Sequence, residues 1–254
     1  SSDLVKKHID QLTQWLKNQV EQTKTNGLIV GVSGGVDSAV VSYLIEKATP
    51  GHALGVILPC HSSEEDLKDA QAVVEGAKIN HMTIDLSARH RELFEQIKQQ
   101  THEKQEWNEE KERMADANLR ARLRMSTLYT LAINYNYLVV GTDNQSEWYT
   151  GYFTKYGDGG VDLAPLVHYT KTEIFEMARE LGVPDSIITK SPSAGLWEGQ
   201  TDEQEMGVSY ETIDAYLRGK NVGEKERAII EEMHERTEHK RQMPPTPPDF
   251  HQFS

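Results

Sequence analysis

A short apolar run, Leu28-Ile29-Val30-Gly31-Val32, passes into Ser33-Gly34-Gly35-Val36-Asp37-Ser38 and then into Ala39-Val40-Val41. That order reads as a strand, a glycine turn and the first turn of a helix, the unit from which parallel α/β sheets are built. Glycines let the backbone approach a ligand with no Cβ in the way, and the uncapped N–H groups of a helix N-terminus favour an anion, so the turn is a candidate phosphate site. It lacks the lysine of a Gly-x-x-x-x-Gly-Lys-Ser/Thr loop and carries Asp37 instead, which sets a carboxylate beside a negative ligand. A divalent cation held between carboxylate and phosphate oxygens, Mg2+ in the first instance, resolves that repulsion. The plainer alternative is a glycine turn in which Asp37 is only a first-turn helix charge.

The rest of the chain extends this unit. Val5, Ile9, Leu12, Leu16 and Val20 recur at helical spacing after a candidate Asp3 cap. The helix after the glycine turn is expected to stop near Thr49, before Pro50-Gly51. Ala53–Leu58 forms a second strand, Ser62 or Ser63 caps a helix through about Lys78, and Met82–Leu86 forms a third strand. A polar stretch, Ser87 to Arg113, reads as a solvated helical excursion, followed by a helix Met114–Tyr135. Leu138–Asp143 reads as a fourth strand and Asp162–Val167 as a possible fifth. Thr170 with Glu173 makes a capping box, and Gly182 stops the helix it opens. A loop from about Lys190 to Gly207, further helices and the cluster Pro244-Pro245-Thr246-Pro247-Pro248 complete the chain. The alternation implies a Rossmann-like parallel sheet with helices on both faces and a C-terminal helical segment. Residues 1–254 read as one domain, with 244–254 an extended proline-rich tail.

Composition narrows the function. With 254 residues and 37% hydrophobic content the chain can bury an ordinary core. A net charge of −13 and no basic block argue against a nucleic-acid partner. The one cysteine, Cys60, excludes an internal disulfide and any Cys-x-x-Cys pair, and reads as a buried small residue rather than a nucleophile. No His-x-x-x-His or Cys/His cluster shows zinc spacing, and no Gly-x-Ser-x-Gly elbow is present. No signal core and no run of ~18 apolar residues is seen, so no membrane partner and a cytoplasmic location are expected.

Ligands in open parallel sheets sit beyond the carboxyl ends of strands, where strand order reverses. Two polar segments qualify: Ser33–Ser38, and Thr142-Asp143-Asn144-Gln145-Ser146-Glu147. If their strands are neighbours, Asp37 and Glu147 can share the metal; taken alone, Glu147 is as well explained as a surface carboxylate. Asn118, Arg122, Met125 and Tyr129 fall on one helical stripe, with Arg120 and Arg124 roughly opposite. That stripe is either a ligand wall or a partly solvated face. The loop Tyr152–Asp162 combines aromatic residues, Lys155, two carboxylates and three glycines, and looks built to contact something. Lys171 stands in a helix first turn, where the dipole prefers an acid, so it is either a phosphate partner or local charge variation.

These segments together resemble the ammonia-dependent NAD synthetases, within the wider group of ATP pyrophosphatases that adenylate a substrate. The glycine turn Ser33–Ser38 is shared by that wider group. More specific are Asn118–Met125, Gly141-Thr142-Asp143 through Glu147, Gly151–Gly160, Gly199-Gln200-Thr201-Asp202-Glu203 and Thr237-Glu238-His239-Lys240-Arg241. The resemblance implies that Gly31, Ser33, Gly34, Gly35, Val36, Asp37 and Ser38 hold ATP, with Thr142, Lys171 and Ser193 in further contact. Asp37 and Glu147 would be the Mg2+ ligands, and Arg122, Lys155, Asp162, His239 and Lys240 would bind deamido-NAD. Asp37, Glu147 and Lys171 would serve the chemistry, and Asp158 or a neighbour would bind ammonium and take a proton. Ser193 and Gly195 depart mildly from the threonine and aspartate often found at those positions, but the hydroxyl is kept. His61–Asp66 and roughly Ile188–Ser209 match mobile loops, and the relatives are homodimers.

The implied reaction joins deamido-NAD, ATP and ammonia into NAD, AMP and pyrophosphate through an acyl-adenylate. Glutamine-using relatives carry a further domain with a nucleophilic cysteine; 254 residues with Cys60 alone lead to an expectation of free ammonia. Two other readings are kept: another adenylating ATP pyrophosphatase acting on a different small-molecule acid, and a nucleotide-binding module without chemistry.

Overall fold

In the computed structural model, residues 2–190 and 201–253 are described. Four parallel strands, β1 (Gly27–Gly31), β2 (Ala53–Ile57), β3 (Asn80–Thr83) and β4 (Tyr137–Val139), lie in the order β3-β2-β1-β4. The register sets Leu28 opposite Ala53 and Leu138, and Leu54 opposite Asn80. Strand order runs outward from β1 to β3 on one side and jumps to β4 on the other, so the point of reversal lies between β1 and β4.

Alternation along β1 splits the core. Leu28 and Val30 face a layer made by α1 (Ser2–Thr23), α2 (Val36–Ala48), α3 (Glu64–Ala77) and α7 (Lys171–Leu181). Ile29 faces the other side, where Leu54, Val56, Leu86, Ala132 and Val139 pack beneath α5 (Glu112–Tyr135), against which α4 (Ser87–Glu103) lies. A smaller cluster of Met206, Val208, Tyr210, Ile213, Ile230 and Met233 joins α9 (Asp202–Met206), α10 (Tyr210–Leu217) and α11 (Glu224–Arg236). The short helices α6 (Gln145–Thr150) and α8 (Asp185–Ile188) complete the order. Among the described residues no helix is long and apolar enough to cross a membrane.

Several boundaries differ from the sequence reading, each for a local reason. The third strand begins at Asn80, not Met82: β3 is an edge strand with three of its four residues exposed, so hydropathy is a poor guide to it. Ile84 and Leu86 still donate from their amides to Ile57 O and Pro59 O, which explains the apolar signal farther along. The fourth strand ends at Val139, and the fifth reduces to a single bridge between Val140 and Leu163. Asp162 intervenes there, because its carboxylate accepts from Val139 N at 2.8 Å and replaces a strand partner. Asp3 lies inside the first turn of α1 rather than capping it. The expected loop 190–207 contains α9 among its described residues.

Other local signals match the structure. Thr170 and Glu173 form a reciprocal capping box, Gly182 takes φ 86° at the end of α7, and Ser63 accepts from Asp66 N at the start of α3. Residues 244–248 are exposed and without regular structure, ahead of one 3-10 turn, Phe250–Phe253.

Candidate functional site

The turn after β1 is held by its own serines. Ser33 N donates to Ser38 Oγ at 3.1 Å, and Gly35 N to Ser33 Oγ at 3.2 Å. Gly35 caps α2 without a side-chain acceptor, which leaves first-turn N–H groups for a ligand. Gly34 has φ 89°, and a Cβ there would come 2.7 Å from Asp66 O, so both backbone conformation and space require glycine.

The loop after β4 meets this turn across the strand reversal. Asn144 caps α6: its Oδ1 accepts from Glu147 N at 3.0 Å, while its own N–H donates to Glu147 Oε1 at 3.0 Å. The same side chain sends Nδ2 to Asp37 Oδ2 at 3.4 Å, which ties the two loops together. Lys171, in the first turn of α7, places Nζ 2.8 Å from Asp37 Oδ2. Its side chain is 5% exposed and that of Asp37 15%, so this is a buried ion pair.

Carboxylates outnumber cations here. Asp37 Oδ1 is buried with no hydrogen-bond partner, as is Asp202 Oδ1. Tyr210 OH donates to Asp202 Oδ2 at 2.8 Å and lies 3.3 Å from Glu147 Oε2. Burial pushes Glu147 well above the ordinary carboxylate range, and the Asp37 charge adds to the shift. Asp202 is likewise raised by burial. Burial alone would push Lys171 down, but Asp37 and Glu147 outweigh it and hold the ammonium above its usual value. Asp37, Glu147 and Asp202 against Lys171 give a formal charge of −2 when all are ionised, which suits a divalent cation; the orphaned Asp37 Oδ1 supplies an available donor oxygen.

A cavity of about 1000 Å3 opens over these groups. Gly31, Ser33, Gly35, Val36, Asp37, Ser38, Thr142, Glu147, Asp158, Lys171, His239 and Lys240 all line it. Asp158 accepts from Thr154 N at 2.7 Å, and desolvation raises both it and its neighbour Asp143. Lys240 donates to Gly151 O at 2.8 Å and Phe153 O at 2.7 Å, so it also holds together the loop after α6.

Three expected ligand residues stand apart from the cavity wall. Arg122 Nε donates to Lys155 O at 3.1 Å, and Lys155 Nζ lies 3.1 Å from His239 Nδ1, forming a basic string at the rim. Asp162 accepts from Tyr129 OH at 2.9 Å as well as from Val139 N, an arrangement that fastens β4 to α5. The α5 stripe does face this region, since Asn118 Oδ1 accepts from Thr154 Oγ1 at 2.8 Å. Ser193 lies outside the described residues.

Sequence reasoning gave no role to Asn144, Asp202, Tyr210 or Arg124. Asn144 carried a signal, an Asn-x-x-Glu box four residues after the apolar run ends at Val140. Arg124, placed opposite Arg122 by helical phase, is half-buried and donates to Leu58 O at 2.9 Å at the carboxyl end of β2.

A family model described as NAD synthase matches residues 8–244. The NH(3)-dependent NAD(+) synthetase of Alkaliphilus oremlandii is 53% identical over 243 residues, 96% of this chain and 97% of that protein. Among solved structures, the NMN synthetase of Francisella tularensis superposes with TM-score 0.88 at 40% identity, over 96% of this chain and 98% of that one. The NH3-dependent NAD synthetase of Campylobacter jejuni superposes with TM-score 0.76 at 25% identity, over 96% and 98%.

Proposed function

The chain belongs to the NAD synthase family, and from that premise we propose that it amidates deamido-NAD with ammonia, consuming ATP and releasing NAD, AMP and pyrophosphate. One observation carries the reading: the buried Lys171–Asp37 pair stands over an uncapped glycine turn, in one cavity with Glu147 and Asp158.

The glycine turn and the N-terminus of α2 receive the polyphosphate, and Lys171, Ser38 and Thr142 line its path. Asp37 and Glu147 would hold Mg2+, with Asp202 beside them; a cation bound there would supply positive charge against the phosphates. An oxygen of the nicotinic carboxylate attacks the α-phosphorus of ATP, the bond to the bridging oxygen breaks, and pyrophosphate departs. Ammonia then attacks the acyl carbon and AMP leaves. Asp158, which lines the cavity and whose affinity for a proton desolvation there increases, takes the proton that ammonium must give up. Arg122, Lys155, His239 and Lys240 form a basic rim for the dinucleotide, and Asp162 supports it through Tyr129 and β4. Most of the rate enhancement comes from positioning and fixed charge, and the enclosing loops keep water from the adenylate. Ser193 completes the ATP contacts in this reading.

The same reading takes residues 1–254 as one catalytic domain acting as a cytoplasmic homodimer without nucleic-acid or membrane partners, with sedimentation velocity as the check on the dimer. The likeness to the Francisella NMN synthetase favours a second reading of the substrate, in which the deamido form of the mononucleotide is amidated instead. Pyrophosphate release with ATP, Mg2+, ammonium and each acid in turn, every component omitted once, tests both. Turnover of the dinucleotide acid with at least tenfold higher kcat/KM than the mononucleotide acid supports the first; the reverse ratio replaces it with the second.

A further inference from the structure

Outside the catalytic cavity the fold assembles a group that sequence spacing does not reveal: Cys60 and His61, just past β2, meet His90 from α4. Their Sγ and imidazole nitrogen atoms all lie within 4.8 Å of one another, the only such trio of metal-ligating side chains among the described residues. The sequence shows no Cys/His cluster with zinc spacing, and the trio forms only through the tertiary contact between this loop and α4. From this geometry we infer a binding site for a soft divalent transition-metal ion of the Zn2+ class, formed by the thiolate of Cys60 and the imidazoles of His61 and His90.

Orientation supports the site as much as proximity. His61 Nε2 and His90 Nδ1 face each other at 3.0 Å, close to the roughly 3.3 Å that two nitrogens on a tetrahedral zinc adopt. The other nitrogen of His90, Nε2, lies 3.1 Å from Asp116 Oδ1 and 3.3 Å from Asp116 O. That partner fixes the proton on Nε2 and leaves the Nδ1 lone pair turned toward His61, the carboxylate–imidazole support that metal-ligating histidines commonly have. His90 is further held by stacking on Phe94 at 5.6 Å between ring centroids. His61 takes φ 57° and its amide donates to Ser87 Oγ at 2.9 Å, so the loop is pinned with this imidazole directed at α4.

Charge is compatible with binding. His90 is lowered in proton affinity by burial, and His61 by partial desolvation together with the Arg120 cation, which favours the neutral imidazoles that ligate a metal. Burial raises the Cys60 thiol, while Arg124 and Arg120 pull it back toward the thiolate. Metal binding would displace that thiol proton to solvent. A thiolate with two imidazoles suits Zn2+ or Co2+ and discriminates against Mg2+, so the site is chemically distinct from the carboxylates at Asp37. His61 is exposed, so a water can take the fourth position. Leu58, Pro59 and Ser62 of the same loop line the catalytic cavity, and a metal here would tie that wall to α4.

The test is titration of metal-free protein with Co2+, followed by absorption. One equivalent is expected to give a sulfur-to-cobalt charge-transfer band in the near ultraviolet with tetrahedral ligand-field bands, and Zn2+ should bleach both. Cys60→Ser should abolish the charge-transfer band. His61→Gln, at an exposed position that should not disturb folding, should weaken Co2+ binding at least about tenfold with unchanged melting temperature. Absence of the band in the native protein, or Co2+ affinity unaltered by His61→Gln, overturns the site.

Discussion

Replacing Glu147 by Gln separates two roles that one carboxylate performs. Gln retains an oxygen for the Asn144 amide, so the α6 cap survives, and Tyr210 keeps its 2.8 Å bond to Asp202. What disappears is an ionisable group whose charged form burial, Asp37 and Asp202 all oppose. The metal-free variant is therefore expected to melt no lower than the native protein, which reverses the usual sign for a buried polar substitution. Mg2+ behaves oppositely. At a hundredfold excess over its dissociation constant it should stabilise the native protein by about 2.7 kcal/mol, a rise of roughly 5–10 °C for a chain of this size. In Glu147→Gln less than a third of that rise should remain. The native response also depends on pH: above the ordinary carboxylate range the folded protein keeps a proton on Glu147 that the unfolded chain has lost. Metal-free stability therefore falls as pH rises through the window between the ordinary and the raised values. The metal needs the ionised form, so its stabilisation grows across the same window, and the variant should show neither slope. Differential scanning fluorimetry between pH 5.5 and 8, with a non-hydrolysable ATP analogue and either Mg2+ or EDTA, reads all of this. A variant that melts several degrees lower without metal, or that keeps the full Mg2+ response, refutes the shared-metal argument.

Lys171→Met leaves Asp37 buried without its ion partner and should cost about 3–5 kcal/mol in urea unfolding; adding Asp37→Asn should recover more than 1 kcal/mol of it, and strict additivity would count against the pair. Gly151→Ala places a methyl group into the Thr237 side chain at φ 69° and should cost about 2–4 kcal/mol. It should also raise KM for the dinucleotide, because His239 and Lys240 follow Thr237; Gly207→Ala, at φ 77° with open space around it, should cost only about 1 kcal/mol. Ammonium should support turnover of the purified chain and glutamine should not, as monitored by AMP formation; equal rates with both would overturn the expectation that free ammonia alone supplies the nitrogen.

The parts of this site legible in the sequence are those set by local rules. The glycine turn and the Thr170–Glu173 box depend on neighbours within a few residues, and both stand where the pattern puts them. Asp37 and Glu147 are expected at neighbouring strand ends because parallel sheets bring ligands to an order reversal, and β1 and β4 are neighbours with both residues lining one cavity. Asp202 and Tyr210 could not be expected there, since their approach to Glu147 depends on how α9 and α10 fold back over the sheet. Helical phase put Arg124 on the face away from Arg122, but only the tertiary packing shows that this face meets the carboxyl end of β2. The Cys60, His61 and His90 trio is hidden for the same reason, a contact made across a strand-to-helix crossover rather than along a motif.

Asn144 explains how such an acid-rich centre is tolerated. A carboxylate raised by burial gains freedom by rotating toward solvent, and a surface loop would permit that rotation. Glu147 instead spends one oxygen on the Asn144 amide and points the other at Tyr210, while Asn144 itself reaches Asp37. The capping box that starts α6 thus fixes the direction of an unfavourable charge, and helix formation offsets part of its burial cost. Lys171 does the same for Asp37 from the first turn of α7, a position that sets an ammonium against the helix dipole. The α6 start gains from its acid while the α7 start accepts a local penalty, and both hold charge at the strand reversal. That coupling of caps to carboxylates is the physical link between the sheet topology and the chemistry at its edge.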